Sequence, residues 1–182
     1  MLEPFAKAAW LLEEEKRAIK ANHSYLENSK KVTSYIDHLI DRCIRTASNL
    51  LMPNASKNAL RMAKRLNIDL FAAKEGDKMN MKNYCLANNE SDYFFYEHKE
   101  TVSELRKRIA TCASLQEVLL VFNSIEVVWV LNSENMKLVS NGHNSKRSNA
   151  TAAYELAGIE VELSSYTDYQ LWKKSKWKAK GH

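Results

Sequence analysis

Two prolines and four glycines in 182 residues leave few places for sharp turns, which argues against an all-β sandwich or barrel built from many short strands. Three cysteines, Cys43, Cys85 and Cys112, form an odd set with no CxxC spacing. Neither a disulfide framework nor a zinc module is expected from them, and they suit a reducing, cytoplasmic setting. No Gly-rich phosphate loop and no nucleophile-elbow pattern occurs, which disfavours nucleotide-dependent transfer and serine-hydrolase chemistry. The N-terminal run MLEPFAKAAWLLEEEK lacks a basic leader followed by an apolar stretch. The most apolar segment, VLLVFNSIEVVWVL, is broken by Asn123, Ser124 and Glu126. We therefore expect neither a signal peptide nor a membrane span.

What the chain has in place of these is helical patterning and one concentrated charge. Pro4 suits a first helical turn, and Phe5, Ala9, Leu12 and Ile19 recur behind it at near-helical spacing. From Val32 to Leu51 an apolar stripe through Ile36, Ile40, Ile44 and Ala47 predicts a longer helix, which should pair with the first as an antiparallel hairpin. A third helix is expected from Ser56 to Leu66, with Leu60 and Ala63 inward and Lys57, Arg61, Lys64 and Arg65 on a solvated basic face. Residues 71–91 are polar and Asn-rich and read as a long irregular connection.

Beyond them the pattern becomes mixed. YFFYEH predicts a short aromatic strand at 93–97, and Thr101-Val-Ser-Glu104 and Ser114-Leu-Gln-Glu117 are capping boxes that should start two helices. IEVVWVL predicts a buried strand at 126–131, and Ser133 is a suitable cap for a helix after it. NATAAYELA predicts another helix stopped at Gly158, followed by an edge strand at 159–163. The expected fold is α+β, predominantly helical, with an N-terminal helical region (1–70), an α+β core (71–168) and a basic aromatic tail (169–182).

The tail carries the charge. Lys173, Lys174, Lys176, Lys178 and Lys180 all follow Asp168, the last acid, and before them acidic and basic residues balance, so the net +5 sits entirely here. Trp172 and Trp177 lie among these lysines. Ammonium groups neutralise phosphates and indole rings stack on bases, so a nucleic-acid partner is one reading; a solubilising terminus is the other.

One further stretch, ENMKLVSNGHNSKR at 134–147, is polar enough to ask for an explanation. A strand ending in Glu97-His98, a second strand, and a helix bearing Asn and His resemble the core of the HNH, or ββα-metal, nucleases. The resemblance is confined to residues 93–150, on "YEH" and "NMKLVSNGHNSKR". It implies that His98 is the general base, Asn135 orients it, and Glu97 and His143 hold a divalent cation, Mg²⁺ or Mn²⁺. Asn132 and Asn144 are alternatives to Asn135 and His143. Phosphodiester hydrolysis needs a proton acceptor that titrates near neutrality and a cation to offset charge on phosphorus, which is what those residue types supply. Lys146 and Arg147 would then contact flanking phosphates, DNA would be the substrate, and a palindromic target would imply a homodimer.

Three functions stay open on the sequence: a metal-dependent, restriction-type endonuclease, a non-enzymatic nucleic-acid-binding or regulatory protein, and a helical interaction protein that meets its partner through the long second helix.

Overall fold

The computed structural model describes residues 1–22, 26–144, 146–147 and 149–177. Lys178 and Lys180, singled out in the sequence, lie outside them. The fold is α+β and mostly helical, with one small mixed sheet, and the chain divides into two compact units.

The first unit combines Met1–Leu50 with Thr101–Ile125 and is all helical. Helix α1 (Glu3–Ala21) carries Pro4 in its first turn, and α2 (Leu26–Ser48) buries Ile36, Ile40, Ile44 and Ala47 at helical spacing. Lys16 of α1 meets Asp37 of α2 at 2.5 Å, while one groove is lined by the end of α1 and residues 28–32 of α2, so the pair is antiparallel as expected. Helices α5 (Val102–Thr111) and α6 (Leu115–Asn123) begin at the two capping boxes. Thr101 Oγ1 accepts the Glu104 amide at 3.2 Å and Ser114 Oγ accepts the Glu117 amide at 3.3 Å. Leu105, Ile109, Val118 and Phe122 complete the core against α1 and α2.

The second unit, Leu51–Glu100 with Glu126–His182, holds the sheet. Its strands are β1 (Asn54–Ser56), β2 (Phe94–His98), β3 (Val127–Leu131) and β4 (Val161–Glu162), in the order β2-β3-β1-β4. The β1–β3 pair is parallel and the other two are antiparallel. Strand β1 is only three residues long and has no alternating pattern of its own, so the sequence offers no sign of it. It continues directly into α3 (Lys57–Arg65), where Ser56 caps the Ala59 amide.

Two elements differ from expectation. Residues 78–87 form α4 (Lys78–Ala87), although four of its ten residues are Asn or Lys. Only Met81 and Cys85, one helical turn apart, are buried, so there is too little apolar periodicity to signal a helix. Helix α7 (Asn132–Ser140) starts one residue before the expected cap, with Leu131 as its N-cap. The Leu131 amide is taken at 2.9 Å by the Glu134 carboxylate rather than by a Ser133 hydroxyl. Helix α8 (Ala150–Leu156) is capped by Asn149 and ends at Gly158, whose φ of +67° is the left-handed conformation a helix stop requires. The tail forms α9 (Tyr169–Lys174).

Strand pairing assigns side chains to faces. Phe95 lies opposite Val130 and Glu97 opposite Val128, and this face packs on Leu138 of α7 and Ala153 and Tyr154 of α8. Tyr96 lies opposite Trp129, edge to face at 4.8 Å, and His98 opposite Val127, on the other face. Trp129 donates its indole N–H to the Ala73 carbonyl at 3.3 Å. Among the described residues, no helix is long and apolar enough to cross a membrane.

Candidate functional site

The residues of the suspected catalytic group can be placed from the register. Strands β2 and β3 are antiparallel and α7 follows β3 and packs on both, so the order strand, strand, helix is present, with α5 and α6 between the strands. Phe94 pairs with Leu131 and His98 with Val127, so His98 lies roughly 13 Å along the strands from the point where α7 begins. Asn135 is in that first turn, at the opposite end of the sheet from His98. Helix α7 then runs back by about 13 Å, which returns the chain near His143 to the level of Glu97.

Adjacent strand residues point to opposite faces, so Glu97 and His98 do not converge. Glu97 faces α7 and α8; the His98 side chain belongs with Tyr96 and Trp129 and is buried. The structure thus brings Glu97 and the His143 segment to one place, and leaves Asn135 and the His98 imidazole elsewhere.

What joins Glu97 to the His143 segment is Arg147. Its guanidinium, expected to reach phosphate, is only 2% exposed. Nη2 donates to Glu97 Oε1 at 2.8 Å, Nη1 to the carbonyls of His98 and Lys99 at 2.8 and 3.0 Å, and Nε to the His143 carbonyl at 3.0 Å. Its charge also sits 5.8 Å from the Tyr154 ring centre. An Arg so enclosed serves as an internal clamp, and the phosphate role expected of Arg147 does not fit this placement. The implied cation site meets the same difficulty: Glu97 is already matched by a buried positive charge, and the His143 carbonyl is taken by Arg147 Nε. Among the described residues, no three His, Cys, Asp or Glu side chains are grouped to hold a metal.

A residue that the sequence pattern does not single out is Glu134, 2% exposed. It accepts Ser56 Oγ at 2.5 Å, Asn58 Nδ2 at 3.0 Å and the Leu131 amide, tying the carboxyl ends of the parallel strands β1 and β3 together. The opening between parallel strands is where a ligand would enter such a sheet. Here Glu134, together with Asp92 on the Ser133 amide, fills the helix starts from within the chain.

The tail residues form a second cluster. Trp172 is buried, so it is an anchor and not the base-stacking platform expected from the sequence. The Lys74 ammonium lies 4.9 Å from its ring and donates to the carbonyls of Lys173 and Ser175 at 2.9 and 3.1 Å, closing the end of α9. Trp177 is half-buried, edge-on to Tyr84 at 5.9 Å. Lys173, Lys174 and Lys176 are exposed, as is Lys146.

Lys176 lines a groove of about 760 Å³ with Lys64 of α3, Asn67, Asp69, Phe71 and Tyr166. In the sequence Lys64 reads only as part of a solvated face, and nothing there indicates that the tail returns beside α3. Burial raises the Tyr166 phenol's pKa, and the neighbouring Asp69 carboxylate, 3.2 Å away, adds to the shift. The groove combines two cations, several apolar side chains and one acid among its lining residues. No protein-family model, curated protein or solved structure matches this chain, so the geometry alone carries the reading of its function.

Proposed function

We propose that the protein binds nucleic acid without cleaving it, through the lysines of its C-terminal segment. The observation that carries this reading is the anchoring of α9. Trp172 and Lys74 hold the segment on the second unit while Lys173, Lys174 and Lys176 stay in solvent, within a stretch that contains the chain's whole charge excess. Lysines on a fixed support neutralise phosphates with a smaller ordering cost than a free tail does, and binding should weaken steeply with salt. A gel-shift experiment with the full chain tests it. Retention of a labelled oligonucleotide at about 50 mM salt and its loss by about 300 mM is the expected result; no retention at low salt refutes the reading.

A second reading, a DNA endonuclease using a divalent cation, draws on one observation, the strand-strand-helix packing of β2, β3 and α7. It requires Glu97 to leave Arg147 and the His98 imidazole to leave its buried face. Plasmid nicking with Mg²⁺ or Mn²⁺ that is abolished by EDTA and by His98→Ala would establish it over the first reading. An intact plasmid under the same conditions would remove it.

A further inference from the structure

The groove beside α3 has a chemistry more specific than a charged surface. Lys64 and Lys176, 112 positions apart in sequence, both line it, and Leu60 and Phe71 add apolar surface to the same lining. Asn67 and Asp69 add an amide and a carboxylate, the group types that read base edges. Asn67 has a positive φ of 57°, so the chain turns there at the end of α3, exposing that side chain. Asp69 is held in place, accepting the Ala72 amide at 3.2 Å and the Tyr166 hydroxyl. The volume is within the range of small-ligand sites, and both aromatic side chains, Phe71 and Tyr166, are half-buried and so retain exposed surface.

From this geometry we infer that the groove seats an unpaired stretch of a single-stranded nucleic acid, with Lys64 and Lys176 on its phosphates and Phe71 and Tyr166 against its bases. The inference rests on the nucleic-acid reading above and narrows it to one strand. A duplex keeps its base faces stacked inside and could use only the lysines, whereas an unpaired base offers a π face to the aromatic surface. A purely acidic peptide would satisfy the cations and leave the aromatic and amide groups without a role.

The test measures binding of the full chain to a short single-stranded oligonucleotide, the matching duplex and polyglutamate, using Lys64→Gln and Tyr166→Ala as variants. Neither residue is buried, so both variants should fold, and circular dichroism checks that they do. Tyr166→Ala is expected to cost about tenfold in single-strand affinity and leave duplex affinity unchanged. Lys64→Gln is expected to reduce the single-strand salt slope by about 0.7. An oligonucleotide carrying 5-bromouracil should cross-link under ultraviolet light within the peptides bearing Phe71 or Tyr166. Equal affinity for strand and duplex, with both variants like the parent and cross-links at neither Phe71 nor Tyr166, overturns the groove and leaves lysine-based nucleic-acid binding standing. Binding of none of the three overturns the function proposed above and the groove with it.

Discussion

Arg147 ties the end of β2 to the His143 turn inside the second unit. Its hydrogen bonds to Glu97 and to the carbonyls of His98, Lys99 and His143 are made by a guanidinium almost wholly withdrawn from water. Removing the guanidinium leaves Glu97 as a largely enclosed charge and three carbonyls without that donor. Arg147→Ala should therefore lower unfolding stability by about 3–5 kcal/mol, measured by urea titration, with Arg147→Lys recovering only part because one ammonium cannot span all of these acceptors. A loss below about 1 kcal/mol would show that the clamp is not structural. Cys85 gives a pH signature at the same scale. Burial pushes its thiol from 9.0 up to about 11, and burial likewise raises the phenols of Tyr96 and Tyr154. Between pH 9 and 11 the unfolded chain releases the thiol proton while the folded chain keeps it. Stability is thus complete below about pH 9 and declines as pH rises through that window, with the phenols adding to the decline above about pH 10. Urea midpoints from about pH 8 to 11 should follow this course, and Cys85→Ala should make the decline between about 9 and 10 shallower, while the thiols of Cys43 and Cys112, which burial also raises, keep part of it.

At the scale of elements, the parts legible in the sequence are those with local chemistry. The capping boxes at Thr101 and Ser114, the stripe of α2, the aromatic run of β2 and the β-branched run of β3 each specify a structure within a short stretch of chain. Strand β1 and helix α4 are not legible, because both are defined by partners distant in the chain. Asn54 and Ala55 become strand only through Val128 and Trp129, and α4 is held by two buried residues, Met81 and Cys85. The suspected catalytic group is legible as residue types but not as geometry. Glu97 and His98 adjoin in sequence, yet the pleat sends them to opposite faces, and the Arg147 that ends the motif turns inward. The tail presents the same difficulty in reverse: its tryptophans look like a stacking platform until Trp172 is seen to be enclosed. Trp172→Ala should release α9, lower stability by about 3 kcal/mol and make the peptide bonds after Asp168 sensitive to trypsin, which limited proteolysis reads directly. Unchanged resistance would mean that the segment is held by other side chains.

For the molecule as a whole, the decisive property is the separation of charge. Up to Asp168 the chain is balanced, and the excess follows in the residues after it, of which 169–177 are described and set on the second unit. A partner attracted by that excess should be captured by a few lysines at one place rather than by the general field of the protein. The most direct measurement is the salt dependence of single-stranded oligonucleotide binding for the full chain and for the combined variant Lys173→Gln, Lys174→Gln, Lys176→Gln, which keeps Trp172 and so keeps α9 docked. The two log-log slopes should differ by about 2, near 0.7 for each phosphate that no longer meets an ammonium group, with the variant binding weakly even at low salt. Coincident slopes and equal affinities would contradict the claim that these lysines form the binding surface.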